Sequence, residues 1–223
     1  MAYKLCVTAR SVSSAMMAAA LALALTSSVQ AVSFSSTARA LFTAENDKAE
    51  PPPGWAEFCI QYVTECRSQP GQAATTPRII AVTPEVWETI VDVNKWANEH
   101  IRPLSDEERR GRENVWSYGE NGRGDCKDYV LVKQRKLIEL GLPRESLLIT
   151  IVWTPQKRGH AVLIARTDQG DLVLDSLSSE IVLWSETPYT YVERQSQADP
   201  NTWSYIDGPP PTGGDVWIAH GLI

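Results

Sequence analysis

The chain has 223 residues, of which 43% are hydrophobic and 22% are charged, and its formal net charge is -6. This composition is typical of one globular domain and excludes a disordered or collagen-like chain. The acidic balance, without a sustained run of lysine or arginine, argues against a nucleic-acid partner.

The first thirty residues have the features of a secretory signal peptide. Lys4 and Arg10 supply the positive start, residues 15–25 are a short apolar stretch, and residues 29–31 (VQA) fit a small-residue cleavage pattern. The apolar stretch is too short for a stable membrane span. We therefore expect residues 1–31 to be removed on export, which leaves no stable membrane span. An uncleaved anchor is the alternative.

After the signal peptide we expect a short lead and one domain. Residues 41–55 mix acidic residues with prolines, a composition that favours a loop. Residues 32–50 are therefore predicted to be an N-terminal lead, either a loop or disordered, and residues 51–223 are predicted to be the folded domain.

The cysteines divide into a pair and a single residue. Cys59 and Cys66 lie seven residues apart, and because exported thiols oxidise readily, we predict a disulfide between them. Two unpaired cysteines are the alternative. Cys6 leaves with the signal peptide, so Cys126 remains as a reactive thiol or an intermolecular bridge.

Residues 84–101 have apolar side chains at helical spacing, and Thr83 is a suitable N-cap, so an amphipathic helix is predicted there. Its aromatic residues, Trp87 and Trp96, are expected in the core. Residues 105–125 are polar and rich in glycine, which predicts a long connection.

The stretch GRGDCKDY at residues 122–129 predicts the start of a second helix. Asp125 is the expected cap, Asp128 stands near the third helical position, and Gly141 ends the helical pattern. Cys126 then lies in the first turn, where unpaired N–H groups and the helix dipole favour a thiolate. The two aspartates oppose this effect, so a nearby imidazolium is needed.

His160 is the natural partner among three histidines. It begins the alternating run HAVLIA, a turn TDQGD follows, and LVLDSL runs back as a second strand, which predicts an antiparallel hairpin. The hairpin brings His160 close to Asp175, which can fix the imidazole tautomer. Thiol, imidazole and carboxylate together suit acyl transfer. The alternative is a capped helix with a buried cysteine and a hairpin with a core histidine.

These segments together resemble the bacterial transglutaminase-like cysteine proteinases. The resemblance covers about residues 51–206 and includes, in order, PPPGWAEFC, VNKWANEHIRPLSD, GRGDCKDYVLVKQRKLIELGLP, ITIVW, GHAVLIART, GDLVLDSL and W-x4-Y-x-Y-x-x-RQS. It implies an α+β fold with a transglutaminase-like (papain-like) core, in which a nucleophile helix packs on an antiparallel β-sheet carrying the His and the Asp. The family's nucleophile falls on Cys126, its histidine on His160 and its aspartate on Asp175.

The resemblance also implies an activity and a compartment. The best-studied relatives are periplasmic proteases that cut large surface adhesins. We therefore expect a periplasmic or secreted cysteine endopeptidase that hydrolyses peptide bonds of a protein substrate, such as a cell-surface protein, through a thioester acyl-enzyme. The alternatives are an amidase or transglutaminase-type acyl transfer, and a non-catalytic binding module on the same fold.

Calcium is the cofactor that the resemblance raises. Relatives that need calcium carry acidic residues on both sides of the nucleophile, commonly as D-C-E-D-Y, which places a calcium site at Asp125 and Asp128. Here Lys127 stands in place of the glutamate, and a cation replaces an oxygen ligand. We therefore expect that no cofactor is required and that both aspartates serve as helix caps. A calcium ion at Asp125 and Asp128 is the alternative.

The oxyanion donors are the remaining question about the site. The backbone N–H of Cys126, at the helix start, is a suitable donor. Trp116 and Asn121 in the preceding connection are side-chain candidates. For Trp116, packing in the core is the alternative.

Overall fold

The computed structural model describes residues 41–67 and 78–206, which belong to one compact unit, Phe34–Ile223. The predicted signal peptide, residues 1–31, lies outside the described residues. No helix within the described ranges is long and apolar enough to cross a membrane.

Nine strands form two sheets within residues 41–67 and 78–206. In chain order they are β1 (Glu45–Ala49), β2 (Arg102–Pro103), β3 (Arg123–Gly124), β4 (Leu147–Trp153), β5 (Gly159–Thr167), β6 (Gly170–Leu174), β7 (Val182–Leu183), β8 (Thr190–Gln195) and β9 (Trp203–Ile206). Seven of them pair antiparallel in the order β1-β9-β8-β4-β5-β6-β7. Strands β2 and β3 form a separate parallel pair.

In the same described part of the chain, four α-helices accompany the sheets: α1 (Trp55–Gln61), α2 (Pro84–His100), α3 (Asp106–Arg110) and α4 (Cys126–Glu139). The predicted helix at residues 84–101 is confirmed as α2, and the Thr83 side chain caps it by accepting a hydrogen bond from Val86 N. Helix α4 packs against α2 on one side and strand β5 on the other. Helices on an antiparallel sheet confirm the predicted α+β class.

The central strands are buried on both faces. Residues of β4 and β5 alternate between a cluster on the helix side, which includes Ile149, Leu163 and Cys126, and a cluster on the opposite face, which includes Leu148 and Ile164. Coverage of both faces explains why the two strands are apolar almost throughout. The predicted β5–β6 hairpin is confirmed, with Leu163 paired to Leu174.

The prediction for the lead needs correction. Residues 32–50 were expected to be a loop or disordered, whereas strand β1 within them pairs antiparallel with β9 at the sheet edge. Glu45 anchors this edge, because its carboxylate lies 2.5 Å from the buried Arg194 guanidinium. A charged edge strand of this kind has no alternating apolar pattern from which to predict it.

Two further expectations about the helical layer are wrong. Trp87 and Trp96 are each 38% exposed, because the buried stripe of α2 runs through Ile90, Val93 and Ala97 and leaves both indoles at its border. The expected long connection contains helix α3, which a capping box between Ser105 and Glu108 begins.

Candidate active site

Cys126 is the first residue of helix α4 and is a buried, free cysteine. The predicted caps are confirmed: the Asp125 carboxylate accepts from Lys127 N at 3.1 Å, and the Asp128 carboxylate accepts from Asp125 N at 2.9 Å. This reciprocal capping fixes the backbone on both sides of the thiol.

The close approach of Asp128 explains why a glycine, Gly124, precedes the cap. A Cβ at this position would lie 2.6 Å from the Asp128 Cβ and carboxylate, much closer than packed atoms approach. Any other residue would therefore push Asp128 out of its capping position. The glycine permits the close approach of strand β3 to the first turn of α4.

His160 and Asp175 meet where β5 begins and β6 ends. His160 Nε2 donates to Asp175 Oδ1 at 2.7 Å, and both side chains are buried. The backbone N–H of Leu177 donates to the same Asp175 oxygen at 3.0 Å, and the Asn98 side chain donates to the Asp175 carbonyl at 2.9 Å. The carboxylate is thus held in place, and His160 Nδ1 is left for another partner.

Cys126 acts on the protonation of His160 as well. Burial lowers the pKa of His160, but hydrogen bonds with Asp175 and Cys126 outweigh it and raise the pKa to about 9. Burial raises the pKa of Asp175, yet its interactions with His160 and Leu177 N leave the net pKa below the ordinary value. The structure therefore places His160 beside Asp175, and His160 and Cys126 line one cleft.

Tyr189 is a site residue that sequence reasoning missed. Its hydroxyl donates to Asp175 Oδ2, and its ring meets the His160 ring edge-on, with 5.8 Å between centroids. Burial, together with the hydrogen bond to the Asp175 carboxylate, raises the pKa of Tyr189. The tyrosine is part of the W-x4-Y-x-Y pattern, but its fourteen-residue separation from Asp175 gives no local signal of this contact.

Cys126 and His160 lie on the wall of a surface cleft of about 320 Å³. Leu104, Tyr129 and Leu177 supply apolar surface along it, and the backbone at Gly124 and Gly159 also contributes. A cleft that exposes a thiol and an imidazole to one side of an apolar groove suits an extended peptide chain.

The two side-chain oxyanion candidates do not line this cleft. Trp116 is buried, donates its indole N–H to the Pro53 carbonyl at 2.9 Å and packs edge-on against Trp55. Asn121 is exposed and faces a neighbouring depression. The backbone N–H of Cys126 has no acceptor within its helix, as expected for the first helical residue.

Three buried aspartates gather beside Cys126. Carboxylate oxygens of Asp106, Asp125 and Asp128 lie within 4.8 Å of one another. Lys127 Nζ lies 2.5 Å from Asp125 Oδ2 and 3.1 Å from Asp106 Oδ2. Arg109 Nη2 lies 2.6 Å from Asp106 Oδ1 and 2.7 Å from Asp128 Oδ2. We name these five residues the charge cluster.

In the charge cluster, burial and the neighbouring opposite charges shift the pKa values in opposite directions. Burial raises the pKa of Asp106, but Lys127 and Arg109 outweigh it and hold the pKa below the ordinary value. For Asp125, burial wins and raises the pKa to about 6, although Lys127 opposes it. Burial lowers the pKa of Lys127, and the neighbouring Asp125 carboxylate more than reverses that effect.

Cys59 and Cys66 are joined. Their sulfur atoms are 2.01 Å apart, a bonded distance that agrees with the expected disulfide. The bond closes the short segment after helix α1 onto the core, where Cys66 is buried.

Comparison with known proteins gives one family. Residues 45–210 match the family model described as bacterial transglutaminase-like cysteine proteinase BTLCP. No curated protein matches the chain significantly. Solved structures of LapG from Legionella pneumophila are similar, one at 26% identity over 49% of this chain and 63% of LapG, with a TM-score of 0.43. The calcium-bound form matches at 23% identity over 60% of this chain and 77% of LapG, with a TM-score of 0.47.

In the first of these two matches the chain spans less than two thirds of the length of LapG. The family model covers most of the chain and confirms the resemblance found in the sequence.

Proposed function

Because the chain belongs to the bacterial transglutaminase-like cysteine proteinases, we propose that it is an exported cysteine endopeptidase that cuts peptide bonds of a protein substrate. The observation that carries the proposal is His160, held by Asp175 on one side and coupled to the Cys126 thiol on the other. The cleft beside them leaves room for the scissile bond.

The first half of the reaction forms a thioester. His160 accepts the thiol proton, and the Cys126 sulfur attacks the peptide carbonyl carbon. The backbone N–H of Cys126 donates to the oxyanion that develops. His160 then gives its proton to the leaving amine, the C–N bond breaks, and the acyl group stays on sulfur.

The second half hydrolyses the thioester. Water gives a proton to His160 and attacks the acyl carbon, and the thiolate leaves as the carboxylic acid product forms. Asp175 stays ionised throughout and orients the imidazole through the hydrogen bond to Nε2. Because proton donation needs protonated His160, we expect activity to fall as the pH rises past about 9.

The proposed compartment is the periplasm or the medium, and the proposed substrate is an exported protein such as a cell-surface protein. The Cys59–Cys66 disulfide supports export, since disulfides persist in oxidising compartments. The predicted signal peptide at residues 1–31 is consistent with the same route.

The test uses the mature protein and a peptide library prepared from a bacterial proteome, with new N-termini identified by mass spectrometry. We expect new N-termini with the natural protein and none with Cys126→Ala, while both unfold at nearly the same temperature. Ammonia release or incorporation of a labelled amine, without new N-termini, would show amidase or transglutaminase-type acyl transfer instead.

A second measurement addresses the binding-module alternative without a substrate. Iodoacetamide should alkylate Cys126 at pH 7 faster than it alkylates a free thiol, and His160→Ala should remove this advantage, because the imidazolium stabilises the thiolate. Equal rates for the natural protein, the variant and the free thiol would contradict a catalytic pair.

A further inference from the structure

We propose that this enzyme organises its nucleophile helix without calcium, because Lys127 and Arg109 supply the positive charge that a metal ion would bring to the three aspartates. The inference deepens the proposed function. It rests on that function only for measurements of peptidase activity, and not for measurements of calcium binding or unfolding. It concerns the charge cluster, whose five side chains are all buried or nearly so.

All six carboxylate oxygens of the cluster already accept a hydrogen bond. Those of Asp106 accept from Arg109 Nη2 at 2.6 Å and from Val115 N at 2.7 Å. Those of Asp125 accept from the Lys127 backbone at 3.1 Å and its ammonium at 2.5 Å. Asp128 Oδ1 accepts from Ser117 Oγ at 2.5 Å. Asp128 Oδ2 accepts from Arg109 Nη2 and from Asp125 N.

A calcium ion does not fit this arrangement. Calcium takes six to eight oxygen ligands at about 2.3–2.6 Å, and each oxygen here would first have to give up its donor. Lys127 is the main obstacle, because its fully buried ammonium bridges Asp125 and Asp106 where the metal would bind. Displacing it would leave an unpaired buried charge, which costs several kcal/mol.

The charge count points the same way. Three carboxylates and two cations leave the cluster with one net negative charge. A divalent ion would turn that into a net positive charge in a buried site. An acidic residue at position 127 would make the net charge of the cluster more negative by two units. The same buried pocket would then need an external cation.

The cluster also does the structural work expected of a metal at this place. Arg109 belongs to helix α3 and reaches Asp128 of helix α4, and it also donates to Ser117 Oγ at 3.3 Å and to the Arg123 carbonyl at 3.1 Å. These bonds tie the segment before Cys126 to the first turn of its helix. Lys127 and Arg109 are therefore positioning residues for the nucleophile.

The test compares the natural protein with Lys127→Glu in EGTA, in calcium chloride and in magnesium chloride. For the natural protein we expect no heat of calcium binding in titration calorimetry and the same unfolding temperature in all three buffers. For Lys127→Glu we expect a lower unfolding temperature in EGTA, which calcium raises and magnesium raises less, since four carboxylates now face one arginine.

Lys133→Glu is the matched control, because it places the same charge change at another fully buried lysine of helix α4, outside the cluster. Its unfolding temperature should fall without recovery in calcium. Calcium binding by the natural protein, or an EGTA-induced fall in its unfolding temperature, would overturn the proposal even if the variants do not fold. Absence of peptidase activity with calcium-independent unfolding would reject the proposed function alone.

Discussion

Lys127 and Lys133 are both fully buried on helix α4, yet their surroundings are opposite. Burial disfavours the charged form of any lysine. The Asp125 carboxylate, 2.5 Å from Lys127, more than reverses this effect and raises the pKa of Lys127. Lys133 Nζ has no hydrogen-bond partner in the described part of the chain, and burial lowers its pKa to about 7.

Lys127 has both nearby charges and oxygen atoms that accept from it, whereas Lys133 has a nearby charge alone. The charge of Asp175 also acts on Lys133 and partly offsets the fall in its pKa. However, the Asp175 oxygens already accept from His160, Leu177 N and Tyr189. One helix therefore carries a paired cation at its start and, further along, a lysine whose ammonium has no hydrogen-bond acceptor in the described part of the chain and whose pKa falls to about 7.

The largest expected effect is the loss of the Lys127 charge. Lys127→Met keeps the chain length of the side chain but leaves Asp125 buried without its cation, which should lower the free energy of unfolding by roughly 3–5 kcal/mol. Urea denaturation of the mature protein at pH 7 measures it.

The double variant Lys127→Met with Asp125→Asn is the control. It removes the buried charge that the single variant leaves unpaired, so the loss should be smaller than the sum of the two single losses by about 1–3 kcal/mol. Additive losses would mean that the two side chains do not interact in solution, and the comparison with Lys133 would then fail.

The next effect has the opposite sign. Lys133→Met replaces a buried amine that lacks a hydrogen-bond partner in the described part of the chain with an apolar side chain of similar length. It should raise the free energy of unfolding by about 1–3 kcal/mol at pH 7. Urea denaturation again provides the measurement. A loss of stability as large as that of Lys127→Met would show that Lys133 has a partner in solution.

The pH dependence of the stability gained by Lys133→Met shows whether removal of the buried charge causes it. The folded-state pKa of Lys133 is about 7 and the unfolded value is near 10.5, so between these values the unfolded state binds more protons. The loss in free energy of unfolding that buried Lys133 causes is therefore complete below about pH 7 and becomes smaller as the pH rises towards 10.5. The advantage of Lys133→Met should shrink over the same range, whereas a pure packing gain would be constant.

Local sequence patterns predicted the parts of the site that lie within one element. Asp125 as a cap, Cys126 in the first helical turn, and the hairpin that brings His160 to Asp175 each depend on spacing over about fifteen residues or fewer. Lys127 was identified in another way, from the family resemblance, because it stands where relatives that need calcium carry a glutamate.

The rest of the site depends on contacts between distant segments. Arg109 reaches Asp128 across nineteen residues and Tyr189 reaches Asp175 across fourteen, with no periodic pattern to join them. Strand β1 was missed for the same reason, since its pairing partner β9 lies more than 150 residues further along the chain. Helical spacing also fails to separate Lys127 from Lys133, because it predicts burial but not acceptors.

A further prediction tests whether the hydrogen bond from Tyr189 to Asp175 leaves Lys133 without an acceptor. Tyr189→Phe removes the donor from Asp175 Oδ2 while His160 stays on Oδ1, so the carboxylate loses one of its restraints. A hydrogen bond to a charged group contributes roughly 1.5–3 kcal/mol, so peptidase kcat/KM should fall about tenfold or more.

Tyr191→Phe is the matched control, because the Tyr191 hydroxyl pairs with Thr187 at 3.0 Å instead of the triad. Its iodoacetamide rate at Cys126 should follow the pH as in the natural protein, whereas Tyr189→Phe should change that profile by loosening His160. The freed Asp175 oxygen should also raise the pKa of Lys133, detectable by NMR of the labelled lysine. If both tyrosine variants behave alike, acceptor availability does not explain why the two lysines of one helix differ.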